Sequence, residues 1–320
     1  MDTHELQLAI EQLHRTYQPL DEGEVATYIP ELSNAVPTEF AISLAQASGR
    51  LFCVGDCART FTLQSITKPF TFGMAVEVLG PDKVAQHVGV EPSGDVFNAI
   101  SLQQGSNRPH NPMINSGAIT VTALLHARYG SETFDLILER LSAAAGRRLS
   151  VDESVYESER RTGHRNRAIA HLLLNFGMVH DEAEHALDVY FRQCAVLVNT
   201  QDLAMMGATL ANMGSNPLTG TMAFDVTSVR SMLSIMFTCG MYDYSGEWAY
   251  RVGVPAKSGV SGGVMAVVNR QLGIATYSPR LDARGNSARG IEACADLASR
   301  YGLHAFDCLN SGSSYLEAVL

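Results

Sequence analysis

The segment Phe61-Thr-Leu-Gln-Ser65-Ile-Thr-Lys68-Pro69 carries a serine and a lysine three residues apart. On a helical turn that spacing puts both side chains on one face, so a hydroxyl and an amine come within reach of each other. A serine alkoxide is inaccessible near neutral pH unless a base takes the proton, and lysine serves as that base only when burial or a second cation lowers its pKa. A helix N-terminus at Ser65 adds a dipole and free N–H groups that favour the negative charge of acyl transfer. The pattern alone is weak, since average composition produces it by chance about once in a chain of this length. Its plain alternative is a capping serine followed by a solvated lysine. Pro69 adds a condition: it removes an N–H, so either Ser65 lies just before the regular helix or the turn is distorted.

A second element changes the weighting. Lys257-Ser258-Gly259 opens an expected strand late in the chain, and Ser-x-x-Lys, a helical stretch, Lys-Ser-Gly and a strand hairpin, in that order, resemble penicillin-recognising acyl-transfer enzymes. Glycine on an edge strand lets a substrate amide approach closely, and Lys257 offers a positive charge able to lower the pKa of Lys68. Two departures narrow the choice within that fold: a Ser-Asp-Asn triplet is missing, and the N-terminus lacks the basic and apolar regions of an export signal.

The elements that must position these residues follow from periodicity. Phe40 to Ala45 and Leu51 to Val54, joined through Ser48-Gly49, predict a hairpin; Val264 to Val268 and Leu272 to Tyr277 predict another, with Ala256 to Val260 as a further strand. From about residue 70 to 240 the pattern is helical, with Gly80-Pro81, Gly130, Gly146 and Gly214 as helix stops, and Ser287 to Tyr301 is helical again. The implied fold class is α+β, an α/β sandwich: an antiparallel sheet flanked by helices, with an inserted all-helical domain, like the serine β-lactamases and penicillin-binding proteins. Residues 1–68 and 240–320 would form the discontinuous sheet domain and 69–239 the insert.

Several uncommon blocks then identify a nearer resemblance. Tyr28-Ile-Pro-Glu-Leu, Phe61-Thr-Leu-Gln-Ser-Ile-Thr-Lys-Pro-Phe, Pro92-Ser-Gly, Asn111-Pro-Met-Ile-Asn-Ser-Gly-Ala-Ile, Ser158-Glu-Arg-Arg-Thr-Gly-His-Arg-Asn166, Ala186-Leu-Asp-Val-Tyr190-Phe-Arg-Gln-Cys, Cys239-Gly-Met-Tyr242-Asp and Pro255-Ala-Lys-Ser-Gly-Val260-Ser-Gly-Gly resemble the glutaminase family. This is the serine-dependent family with a β-lactamase-like fold, and the resemblance runs from about Tyr28 to Gly290. It implies Ser65 as nucleophile, Lys68 as general base, Tyr28 and Tyr242 as active-site tyrosines, with Tyr242 the proton relay to departing ammonia, and Lys257 as a supporting catalytic group. It also implies Asn115, Glu159, Asn166, Tyr190 and Val260 as ligand contacts, Val260 and Ser65 offering backbone N–H groups as an oxyanion hole. Glutamine carries an ammonium, a carboxylate and an amide. Glu159 suits the first, and Asn115, Asn166 and Tyr190 supply neutral hydrogen bonds. His164 stands where an acidic residue is also common. The resemblance implies no metal and no organic cofactor, L-glutamine as substrate, and a homotetramer or dimer.

Composition sets the surroundings. The chain has 320 residues, 46% of them hydrophobic, 23 Lys+Arg against 33 Asp+Glu and a formal net charge of −10, which argues against a nucleic-acid partner. No apolar run approaches the roughly 20 residues that span a bilayer, so no membrane partner is expected and a cytoplasmic location follows. The six cysteines are scattered without a Cys-x-x-Cys pair and read as reduced structural thiols. Other features have plain readings. Gly259-Val-Ser261-Gly-Gly263 fits a nucleophile elbow, but a strand rather than a helix follows it. His180 and His185 are off the spacing of a zinc helix. Arg147, Arg148, Arg160, Arg161, Arg165 and Arg167 read as partners of nearby acids such as Asp152, Glu153, Glu157 and Glu159. Two alternatives stay open: another serine amidase, esterase or β-lactam-acylated protein of this fold, and an amino-acid sensor that binds without turnover.

Overall fold

The computed structural model describes residues 3–94, 99–179 and 183–307; His180 and Cys308 lie outside them. Leu6, Ile10 and Leu13 form one buried stripe of the opening helix α1 (Thr3–Tyr17). Then come β1 (Glu24–Val25), the expected hairpin β2 (Ala41–Gln46) and β3 (Leu51–Gly55), and a short β4 (Phe61–Thr62) just before the serine–lysine segment. The helical stretch comprises α2 (Thr67–Leu79), α3 (Pro81–His87), α4 (Asn115–Tyr129) and α5 (Thr133–Ala145), a two-residue β5 (Ser150–Val151), then α6 (Glu153–Thr162), α7 (His164–Asn175) and α8 (Ala183–Cys194). It closes with β6 (Val196–Val198), α9 (Thr200–Ala211) and α10 (Val226–Cys239). The chain returns through α11 (Ser245–Arg251), β7 (Ala256–Ser258), β8 (Gly263–Val268), β9 (Leu272–Tyr277), β10 (Arg280–Leu281) and α12 (Ala288–Tyr301).

The central sheet has the order β3-β2-β9-β8-β7 and is antiparallel throughout. Sequence-distant β2 and β9 pair in its middle, so both ends of the chain build one sheet, as expected. Strands β8 and β9 are buried on both faces, and the period of two divides their side chains between two cores. Val264, Ala266, Val268 and Ile274 pack with α1 and α12, whereas Met265, Val267, Ala275 and Tyr277 pack with α9 and the other helices. Each large apolar side chain buried this way contributes about 1.5–3 kcal/mol.

Among the described residues between 69 and 239, helices alternate with loops, the longest of them between α3 and α4 and between α9 and α10, and β5 and β6 are the strands. With β4 these form a small sheet of order β4-β6-β5. The small sheet ties the run-up to Ser65 directly to the two segments that flank α6, α7 and α8. Ser261 lies in a turn that leads into strand β8, consistent with its plain reading. Among the described residues no helix is long and apolar enough to cross a membrane.

Candidate active site

Ser65 lies in a single 3-10 turn, Gln64–Ile66, immediately ahead of α2, which settles the question that Pro69 raises. The proline is the third residue of the helix, where its missing N–H would have had no partner inside the helix. The residue before the serine, Gln64, has φ +50, a left-handed backbone that costs about 1–3 kcal/mol for a residue other than glycine. Hydrogen bonds hold it there: Thr67 Oγ1 donates to Gln64 O at 3.0 Å and Gln64 Nε2 donates to Thr62 Oγ1 at 3.1 Å. The strained turn presents Ser65 toward the interior, 7% exposed.

Lys68, on the first turn of α2, is fully enclosed, and burial lowers its pKa to about 8. Its Nζ donates to Met113 O at 3.1 Å and to Asn115 Oδ1 at 2.7 Å. Both acceptors are aimed by the Asn111 turn, in which Asn111 Oδ1 accepts from Met113 N at 3.0 Å. Gly117 lets that turn sit on α4, since a Cβ there would fall 1.9 Å from Asn111 O. The Asn115 amide continues the chain: its Nδ2 donates to Asn166 Oδ1 at 2.9 Å, and Asn166 Nδ2 is left buried with no hydrogen-bond partner. The Tyr28 hydroxyl stands beside Asn166 and Glu159 at the rim.

Glu159 projects inward from α6, whose outer face carries the exposed Glu157–Arg160 pair at 2.8 Å. Asp152 caps the helix by accepting from Ser154 N and Val155 N. Glu159 is 3% exposed, and its Oε2 has no partner. Burial raises its pKa to about 8, partly opposed by the charge of Lys68. Tyr190, on α8, is buried against Glu159 and contacts Cys194 one turn further along the same helix, and Thr67 contacts the same thiol.

The opposite wall comes from the returning chain. Tyr242 follows α10 with φ +58. Its hydroxyl donates to Ser258 O at 3.1 Å and is in polar contact with Ser65, and burial pushes its pKa up to about 12. Lys257 Nζ lies 4.1 Å from the centre of the Tyr242 ring and donates to the same Ser258 carbonyl at 2.8 Å. Burial, and secondarily the charge of Lys68, depress Lys257 well below the ordinary lysine range. Burial is the leading cause that lowers both lysines, and their mutual repulsion adds to it on Lys257, which is driven toward the neutral amine. Beyond Ser258 the chain passes close to the serine turn: a Cβ on Gly259 would meet Leu63 O at 2.8 Å and Ile66 Cγ1 at 3.3 Å. Only glycine lets the Val260 backbone come this near to Ser65.

Two faces of the molecule thus bring Ser65, Lys68, Asn115, Glu159, Asn166, Tyr190 and Tyr242 to one place, with Lys257 and Val260 on the returning strand and Tyr28 at the rim. Met113 O, Ser258 O and Cys194 also belong to this assembly, Asn286 supports it from behind by accepting from Ser258 Oγ, and none of these was anticipated. The first two are backbone carbonyls, which leave no mark on residue type. Cys194 and Asn286 act only through neighbours that folding supplies. His164 is exposed at the start of α7. Of the arginines, Arg160 pairs with Glu157 as expected, whereas Arg147 bonds the buried Asp202 through two nitrogens, Arg167 pairs with Glu184, and Glu159, expected among their partners, turns inward. Among the described residues no group of three His, Cys, Asp or Glu side chains is arranged to hold a metal ion.

The family model for glutaminase matches residues 23–306. A glutaminase of Nostoc sp. is 52% identical over 304 residues, covering 95% of this chain and 91% of that protein. One of Trichormus variabilis is 53% identical over 300 residues, covering 94% and 90%. Among solved structures, the probable glutaminase ybaS superposes with a TM-score of 0.92 at 40% identity, covering 96% of this chain and 99% of that one. A probable glutaminase from Bacillus subtilis complexed with 6-diazo-5-oxo-L-norleucine gives a TM-score of 0.85 at 34% identity, covering 93% and 96%. With a match to the family model over nearly its whole length and relatives at half identity, this chain belongs to the glutaminase family.

Proposed function

We propose that the enzyme hydrolyses L-glutamine to L-glutamate and ammonia through a glutamyl ester on Ser65. The observation that carries this reading is the buried carboxyl of Glu159, its Oε2 without a partner, in the same enclosure as the serine–lysine turn. An uncompensated buried acid costs several kcal/mol and is kept where a ligand supplies the cation. The α-ammonium of glutamine is such a cation, and the free Asn166 Nδ2 is a donor for its α-carboxylate, aided by Tyr190 and Tyr28.

Lys68 is the general base. As a neutral amine it has two hydrogens, which Met113 O and Asn115 Oδ1 accept, and the lone pair is left for the Ser65 proton. The Ser65 oxygen attacks the amide carbon, the proton passes to Lys68, and the oxyanion rests on the Ser65 and Val260 backbone N–H groups. The C–N bond then breaks as the proton taken up by Lys68 is relayed through Tyr242 to the departing nitrogen, and ammonia leaves with Lys68 neutral again. Water attacks the ester, Lys68 accepts its proton, the C–O bond to Ser65 breaks, and Lys68 returns that proton to the serine oxygen. Net consumption is one water per glutamine.

The same reading extends to a homodimer or tetramer, to work in the cytoplasm, and to a division into a sheet domain (1–68 with 240–320) and an insert (69–239). The test is ammonia release from glutamine, asparagine and a chromogenic β-lactam assayed side by side. Turnover of glutamine that Ser65→Ala abolishes is expected. Preferential turnover of either other substrate, or glutamine binding without ammonia, would overturn the reading.

A further inference from the structure

The Ser258 carbonyl receives two donors that face the reaction, Tyr242 Oη at 3.1 Å and Lys257 Nζ at 2.8 Å. A carbonyl has two lone pairs, so both are committed. Because the single hydrogen of the Tyr242 hydroxyl points to Ser258, its oxygen presents lone pairs to Ser65. The direction of the Ser65–Tyr242 contact thus depends on where the Ser258 peptide sits.

β7 is only three residues long and lies at the edge of the sheet, paired on one side by β8. Its last residue is held from the other direction by a side chain. Ser258 Oγ donates to Asn286 Oδ1 at 2.5 Å, and both residues are completely buried. Asn286 is itself fixed: its N–H donates to Asp282 Oδ1 at 2.9 Å, and Asp282 N donates to the Asn286 carbonyl at 2.8 Å. The next residue, Ser287, caps α12 and donates from its hydroxyl to Ser278 O at 2.9 Å. The turn before α12, from the far helical layer, therefore reaches under the active site. Tyr242 needs such support, since its backbone is in the left-handed region, secured by Ser245 Oγ donating to Tyr242 O at 2.9 Å.

We propose that Asn286 is a positioning residue for the reaction: through the Ser258 hydroxyl it locks the Ser258 carbonyl, and so aims the Tyr242 oxygen at Ser65. Asn286 touches neither substrate nor reacting atoms. Its effect belongs to the chemical step, not to substrate binding, which the Glu159–Asn166 wall performs. The inference rests on the assignment of Ser65 and Tyr242 above.

The test compares wild type with Asn286→Ala, Ser258→Ala, the double variant and Asn286→Asp, which keeps the oxygen that accepts from Ser258. Losing one hydrogen bond that aligns the relay should lower kcat about tenfold. KM for glutamine should stay within about twofold. The double variant should be no slower than Ser258→Ala, because Asn286 acts only through the Ser258 hydroxyl, which itself also contacts Tyr242, and Asn286→Asp should recover most of kcat. Covalent labelling with 6-diazo-5-oxo-L-norleucine, located by mass spectrometry, separates the two claims. If wild type is not labelled at Ser65, the nucleophile assignment fails. If Ser65 is labelled, but the single variants keep wild-type kcat or change KM instead, the positioning role fails. Should Asn286→Ala not fold, Ser258→Ala and Asn286→Asp decide alone: an unimpaired Ser258→Ala, or an Asn286→Asp as slow as a full loss, overturns the inference.

Discussion

Replacing Glu159 by glutamine should make the protein more stable as it loses its function. The buried carboxyl has its pKa raised from 4.5 to about 8. A raised acid favours the folded state most when protonated, so this group contributes no cost below pH 4.5, and stability falls as pH rises from there to about 8. At pH 7 the cost is about 3 kcal/mol, and at pH 5 about 1 kcal/mol, using 1.36 kcal/mol per pKa unit. The amide introduced by Glu159→Gln is nearly isosteric with the carboxyl and carries no such cost. With about 2.1 cal/mol/K of unfolding entropy per residue, 3 kcal/mol corresponds to about 5 °C in Tm for a chain of 320 residues. Calorimetric melts of both proteins between pH 4.5 and 8 should give curves that coincide at the acid end and diverge progressively toward pH 8, with the variant higher. Glutamine affinity should fall by about 100-fold or more, as expected when one member of a buried ammonium–carboxylate pair is lost. A variant that melts below wild type at pH 8, or a gap independent of pH, would refute the argument that Glu159 is an uncompensated charge awaiting a cation.

Other consequences follow from the same geometry. Lys68 must be neutral to act as base and Glu159 ionised to hold the ammonium, and both titrate at about 8. A plot of log kcat/KM against pH should therefore rise with a slope approaching two below pH 8, and Glu159→Gln should reduce that slope to one. Because Glu159 is largely protonated in the free enzyme at pH 7, glutamine binding to Ser65→Ala should release close to one proton, measured by calorimetry in buffers of different ionisation enthalpy. Gly259→Ala places a methyl 2.8 Å from the Leu63 carbonyl, a backbone atom that cannot swing aside. It should push the Val260 N–H out of the oxyanion hole and cut kcat about 100-fold with little change in KM.

The sheet was legible because β2, β3, β8 and β9 combine apolar runs with turn chemistry, and the helices because glycine stops follow each periodic segment. β5 and β6 were not, since two or three residues carry no period; only pairing with β4 makes them strands. The placement of Ser65 ahead of the helix could be narrowed to two cases from Pro69 but not decided, because the left-handed Gln64 is held by the local hydrogen bonds of Thr62 and Thr67, which no turn-residue pattern announces. Residue types for substrate recognition came through the family blocks. The charge state of Lys257 did not, because it depends on complete burial beside a second lysine. That Asn115 spends its amide on Lys68 and Asn166 likewise emerges only when α2, α4 and α7 meet.

The account stands on a covalent glutamyl–Ser65 intermediate. Acid quenching of the enzyme during steady-state turnover of glutamine, followed by peptide mass spectrometry, should find a glutamyl ester on the peptide containing Ser65. It should be absent from Ser65→Ala, which should also release no ammonia. An ester on any other residue, or undiminished ammonia release by the Ser65→Ala enzyme, would contradict it.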